Sequence, residues 1–279
     1  MQDYQLMIDR MIELPSPPLV VHRLQEVFSR EEISGHDIAK IVEIDQSFTA
    51  RVLRLVNSPF YGFTRKIVLI EEAVTMLGIN AIQQLLLTTS LLGSFKKADK
   101  SIKISGFWIH SFGVAVIAKA LLSHRDKDTQ SEVFMGGILH DIGRLVYLRL
   151  DPDRFLSFYV GQDMAPDLAG ERGYFGIDHQ MAGYMLAQKW NFPKGICDII
   201  KYHHQPIESP LYLQTASAVH IADIICHGFA ISHQVNFYIT EYYPEAWKAI
   251  NLSYGELEKR LAKALMEFEN SVEAFLESD

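Results

Sequence analysis

Two cysteines, Cys197 and Cys226, are all the thiols that 279 residues offer. That is too few for a disulfide framework, and reduced thiols are expected. No run of about 18 or more apolar residues occurs, so the sequence predicts no membrane-spanning helix. Positive charge is in deficit, with 26 Lys and Arg against 34 Asp and Glu and a net charge of −8. A nucleic-acid footprint needs a basic face, so no nucleic-acid partner is expected. An anion held in a local basic pocket stays open. Met1-Gln2-Asp3-Tyr4-Gln5 has neither the basic nor the apolar region of a signal peptide, and the expectation is a cytoplasmic protein. Convincing two-residue alternation is missing, which argues against sheets. There is no internal repeat at a fixed period and no low-complexity tract.

Helical periodicity is what the chain has instead. Hydrophobic residues make up 48% and charged residues 22%, the balance of a globular chain with a real core. The length allows one large or two ordinary domains. Pro15, Pro17 and Pro18 end a short first helix and launch a second with the stripe Val20, Leu24, Val27 and Phe28. Ser34 is placed to cap a helix through Ile38, Ile41 and Val42. A further helix over about 47–56 turns Phe48, Val52, Leu55 and Val56 inward, and Asn57-Ser58-Pro59 stops it. The following loop, Phe60-Tyr61-Gly62-Phe63, is aromatic enough to plug a core or to shape a cleft. Helices over 70–77 and 79–92 are broken at Gly78. The polar run from Lys96 to Ser101 marks the best boundary.

Beyond it, a helix over about 105–123 is apolar nearly all round, as a helix in the middle of a domain would be. It carries His110. The periodicity then predicts one helix over 130–150 holding His140 and Asp141, a helix near 152–160, and a Gly/Pro/Asp-rich connection over 161–176. A helix over 178–190 has His179 near its start. Another begins at Lys194 and ends in His203-His204, stopped by Pro206. Asp223 sits within an apolar helix over 211–229. In the tail, Ser253 with Glu256 makes a capping box. Leu257, Leu261, Leu265, Phe268, Val272 and Phe275 then form a stripe that packs on the body or on a second copy of the chain, as a homodimer.

The chemistry centres on Gly136-Gly137-Ile138-Leu139-His140-Asp141-Ile142-Gly143-Arg144. An ionised carboxylate in an apolar run is costly without a counter-charge or metal beside it. The two glycines before the pair let another backbone come close, and Gly143 is expected to loosen the helix there. Arg144 offers a planar fork suited to phosphate. The other candidate ligands are His110, His179, His203, His204 and Asp223, all on apolar helices or at helix ends. Helical bundles build metal sites from ligands projected inward in this way. Imidazoles and carboxylates without thiolate suit iron, manganese, zinc or nickel and disfavour calcium. Two ions about 3.5–4 Å apart would clamp a phosphate and generate a hydroxide nucleophile near neutral pH. Glu171 and Asp178 are candidate outer partners of the ligands. His220 and His227 flank Asp223 at helical spacings, so a metal-free His–Asp network stays open beside the metal site. His22, His36, His124 and His233 read as ordinary surface or loop histidines.

Taken together, these residues resemble the HDOD domain, a bacterial signalling domain related to the HD phosphohydrolases. The matching elements are Leu14-Pro15 with Pro18, Asp45, Asn57-Ser58-Pro59-Phe60-Tyr61-Gly62, Ala73-Val74 with Leu77-Gly78, Leu139-His140-Asp141-Ile142-Gly143, Asp178-His179 with Gly183, Trp190, Pro193, and His203-His204. The resemblance covers roughly residues 10–230. It implies an all-α fold with an N-terminal helical subdomain over 1–100 and an HD-like metal-binding helical core over 101–230; residues 231–279 lie outside it and read as a C-terminal helical extension. Many HDOD domains have lost metal ligands and serve as regulatory modules. This sequence keeps residues that resemble the HD set, His110, His140, Asp141 and Asp223, and adds His179, His203 and His204, which resemble those of two-metal HD enzymes. It lacks the Gly-Tyr-Pro signature of the HD-GYP phosphodiesterases, since Gln205-Pro206-Ile207 follows the His pair.

The resulting expectation is a metal-dependent phosphohydrolase acting on a nucleotide or cyclic dinucleotide phosphoester. His110, His140, Asp141 and Asp223 would hold one divalent ion. His179, His203 and His204 would hold a second, with Asp141 bridging and Arg144 steadying charge. The alternative is a signalling or adaptor module that binds metal or nucleotide and works through protein partners without turnover. A metal-free helical interaction protein is a third reading.

Overall fold

The structure, a computed structural model, describes residues 23, 26–27, 32–83, 85–86, 89, 105–159, 167–231 and 241–277. The readings made for Pro15, Pro17, Pro18, Val20, Leu24 and Phe28 and for the run over 96–101 lie outside the described residues. Among the described residues there are helices and no strand, so the fold is all-α. These residues divide into two compact units, 23–89 with 266–277, and 105–265.

The first unit holds α1 (Gly35–Val42), α2 (Gln46–Val56) and α3 (Ile70–Leu77). Ser34 caps α1 in a capping box with Asp37. Asp45 caps α2 through the backbone N–H of Phe48. Phe48, Val52, Leu55 and Val56 are all buried, as their spacing predicts. Asn57 does more than stop α2. Its side-chain amide donates to the carbonyls of Leu53 and Ile67, and its carbonyl accepts from the N–H of Ile67. The loop at 60–63 sits half-buried in this unit, with Phe60 and Tyr61 edge to face at 5.0 Å. Gly78, at φ +87°, ends α3.

The second unit is built around α4 (Ser105–Leu121), buried on nearly every face. Then follow α5 (Lys127–Leu139), α6 (Ile142–Leu150), α7 (Pro152–Tyr159), α8 (Leu168–Phe175), α9 (His179–Lys189), α10 (Lys194–Tyr202), a short 3-10 turn (Pro206–Glu208), α11 (Leu213–Gly228) and α12 (Pro244–Ile250). The last helix, α13 (Tyr254–Glu277), contributes residues to both units. Helix α4 packs on α5 and α11, α9 packs on α6 and α10, and α10 packs on α5. Along the α13 stripe Phe275 is buried and the other apolar positions are half-buried.

Two expectations need correction. The single helix over 130–150 is two helices, and the chain turns at His140 and Asp141 between them. The connection over 161–176 contains α8, capped at its start by Asp167 and at its end by the left-handed Gly176.

Candidate metal centre

Glycines bring the site's backbones together. A Cβ at Gly137 would crowd the backbone of Ala115, so α5 lies close against α4. At Gly143 the neighbour is the backbone of His179. Gly143 therefore does not loosen a helix. It lets α6 and α9 meet without an intervening side chain. The turn between α5 and α6 sets both His140 and Asp141 free to face inward, and both are buried.

The tautomers follow from what each Nδ1 touches. His140 Nδ1 donates to the carbonyl of Gly137 at 2.7 Å, and His203 Nδ1 to that of Ile200 at 2.9 Å. His110 Nδ1 faces the carbonyl of Ile231 at 3.3 Å. His179 Nδ1 donates to the Glu171 carboxylate at 2.7 Å. In the neutral rings of these four residues the protons are spent there, and the Nε2 lone pairs converge. His179 Nε2 lies 3.2 Å from His203 Nε2 and 3.0 Å from His204 Nε2. It also lies 3.2 Å from Asp141 Oδ1.

Asp141 stands between two groups of ligand atoms. Asp141, His179, His203 and His204 form one group in which all the ligand atoms lie within 4.8 Å of one another. His110, His140 and Asp141 form a second, and His110, Asp223 and His227 a third that overlaps it. His110 Nε2 is 3.0 Å from Asp223 Oδ1, and His140 Nε2 is 3.7 Å from Asp141 Oδ2 and 3.9 Å from Asp223 Oδ1. The structure thus gathers all seven residues picked as ligands from the sequence. Buried polar atoms normally have hydrogen-bond partners. Here His110 Nε2, His140 Nε2, Asp141 Oδ1 and Asp223 Oδ1 have no aligned one. Nitrogen and oxygen donors without thiolate, orphaned and aimed at one another, fit a divalent transition metal.

The electrostatics favour the metal-binding forms at Asp141, Asp223, His140 and His204. Burial lowers His179 and His227, but Glu171 and Asp141 raise the first and Asp223 the second overall, so those two rings must give up a proton to bind a metal. Burial alone would raise the Asp141 carboxyl, but Arg144, His140 and His179 hold it well below the usual carboxylate range. Asp223 is also held low against burial, by His110 and His227. Burial pushes the His140 imidazole down to about 3 and lowers His204 as well, so both rings are neutral. Neutral imidazole and ionised carboxylate are the forms that bind a metal.

Around the ligands lies a supporting shell. Glu171 on α8 accepts from the ring and the backbone N–H of His179 and from the hydroxyl of Tyr159. Arg144 Nη1 donates to Asp141 Oδ2 at 2.9 Å, while its Nε is buried with no hydrogen-bond partner. Asp178 turns to other work, capping α9 and pairing with Arg172. Tyr159 was not visible as a site residue in the sequence. His220 and His227 were legible only as alternatives, and the structure separates them: His220 donates to the carbonyl of His203, while His227 faces Asp223. His36 and His124 lie at the surface, against Glu71 and Arg260, and His22 and His233 lie outside the described residues.

A family model for the HDOD domain matches residues 14–206. A curated relative, an uncharacterized protein of Treponema pallidum (strain Nichols), is 23% identical over 205 residues, which is 72% of this chain. The match spans only 40% of that relative's length. Among solved structures, an HDOD domain protein of unknown function from Geobacter sulfurreducens superposes with a TM-score of 0.76 at 27% identity, covering 97% of each chain. A Shewanella amazonensis SB2B protein named "Putative phosphohydrolase" gives a TM-score of 0.77 at 23% identity, covering 96% of this chain and 97% of that one. Both superpositions share the helical fold seen here. No described helix is long and apolar enough to cross a membrane.

Proposed function

The chain belongs to the HDOD domain family, and on that premise we propose that its buried centre holds two divalent ions and serves hydrolysis of a phosphoester, of a nucleotide or cyclic dinucleotide. The observation that carries this reading is the meeting of His179 Nε2 and His203 Nε2 at 3.2 Å, when both rings already spend their Nδ1 protons elsewhere. With both rings neutral, two lone pairs so placed repel, as do the lone pairs and Asp141 Oδ1 beside them. A cation among them turns that repulsion into ligation.

His110, His140, Asp141 and Asp223 would hold one ion, and Asp141, His179, His203 and His204 the other. Bound ions there would supply Lewis acidity and acidify water near neutral pH. The chain's own residues do the rest. Glu171 fixes the His179 ring so that Nε2 faces Asp141. Arg144 neutralises Asp141 through one nitrogen and keeps further donors for a phosphate oxygen. Its side chain is 22% exposed, the most open in the centre, which suits contact with an arriving anion.

A non-catalytic module is the second reading. The near-complete burial of His140, His179 and His203 favours it, because a closed site binds without turning over. The test is hydrolysis of bis-p-nitrophenyl phosphate and a cyclic dinucleotide panel by manganese- or iron-loaded protein, beside Asp141→Asn. Turnover lost in the variant supports the hydrolase. Absence of turnover by metal-loaded parent across the panel contradicts it and leaves the module.

A further inference from the structure

His227 sits one turn beyond Asp223 on α11, and its Nε2 lies 3.2 Å from Asp223 Oδ1. The same oxygen lies 3.0 Å from His110 Nε2. The ligand atoms of His110, Asp223 and His227 all fall within 4.8 Å of one another, and the two rings stand 4.8 Å apart. Asp223 Oδ1 is buried and sits between the two rings with neither N–H well aligned on it. The pairing of His227 with Asp223 therefore fits either a hydrogen bond or a shared ion. Adjacent ligand atoms of a six-coordinate ion with bonds of about 2.1 Å stand about 3 Å apart, which is the spacing seen on both sides of this oxygen.

We propose that His227 is an additional protein ligand of the first ion, a reading that rests on the metal centre proposed above. His227 would add to His110 and Asp223, whose ligand atoms group with its own, and leave the first ion fewer open positions than the second, held by Asp141, His179, His203 and His204. The phosphate oxygens then have more room at the second ion than at the first. His227 is 15% exposed, more than His110, His140, Asp141 or Asp223.

The competing explanation is that His227 only orients Asp223. Glutamine separates the two, since its amide still donates to a carboxylate but is a poor ligand for a transition metal. Parent, His227→Gln and His227→Ala are loaded with manganese, desalted, and assayed for ions per chain by elemental mass spectrometry and for affinity by chelator competition. Circular dichroism checks the helix content of each. Two ions in the parent and one in both variants, with the first-ion affinity down at least about 100-fold, is the expected result. That exceeds the roughly 10–100-fold cost of losing an outer-shell partner. A His227→Gln chain with two ions at parental affinity overturns the ligand role while leaving the metal centre standing. A parent without any ion overturns both. A second arm needs no variant: NMR of the parent loaded with NMR-active cadmium and labelled histidine is expected to show coupling between the ion and His227 Nε2. Coupling at His110 and His140 without any at His227 would also overturn it.

Discussion

A Cβ on Gly143 would overlap the carbonyl oxygen of His179, so α6 and α9 touch backbone to backbone beside the centre. Asp141 starts one of these helices and His179 the other. Gly143→Ala is expected to push them apart, lowering stability by about 1–3 kcal/mol in the manner of an overpacked core and weakening metal binding. Gly173, exposed within α8 with nothing close to its absent side chain, is the control. Gly173→Ala is expected to stabilise by about 0.4–1 kcal/mol. Denaturant titration of both variants checks the opposite signs, and equal effects would contradict the close approach.

Glu171→Gln removes the charged acceptor of His179 Nδ1 while keeping the volume. The outer-shell role predicts a loss of about 10–100-fold in affinity for one ion, with the other ion unaffected. Chelator competition reads it, and an unchanged affinity would deny Glu171 that role.

In the metal-free protein, burial sets the His140 imidazole at about 3, against the smaller upward pull of Asp141. The unfolded ring titrates near 6.5. Between these values the unfolded chain takes up a proton that the folded chain refuses. The stability tied to this ring is thus present above about pH 6.5 and lost as pH falls towards 3. His179 runs the other way: burial lowers it, but Glu171 and Asp141 raise it overall, so its contribution holds at low pH and fades as pH rises through its raised value. His140→Gln should therefore show a shallower loss of stability than the parent between pH 6.5 and 3. Denaturant midpoints over a pH series measure it, and parallel slopes would contradict the assignment.

Asn57 holds both the N–H and the carbonyl of Ile67 as well as the end of α2. Asn57→Ala leaves part-buried backbone groups without partners and is expected to cost about 1–3 kcal/mol. A neutral result in denaturant titration would show that water replaces the amide freely.

The sequence made much of this legible because period-3.6 stripes and helix stops are local. Phe48, Val52, Leu55 and Val56 could be placed on one buried face from spacing alone, and Asn57 and Gly78 as helix ends. The ligand set was legible because charged or polar residues on apolar helices need partners. What stayed hidden depends on tertiary contact. The apolar run through His140 and Asp141 keeps its helical period across the turn that separates α5 from α6, so nothing local announced the break. Gly170, Gly173 and Gly176 made α8 look like a connection, although Asp167 and Gly176 turn out to be its caps. His220 and His227 lie at comparable helical offsets from Asp223, and only packing showed which one turns towards it.

The central claim is that converging lone pairs mark an ion site, and counting ions tests it most directly. Protein purified without chelator or nickel affinity resin, then analysed by elemental mass spectrometry beside a His140→Ala, Asp141→Ala double variant, should carry about two divalent ions per chain, with a clear loss in the variant. Parent protein that stays free of metal after reconstitution with iron or manganese would contradict the account.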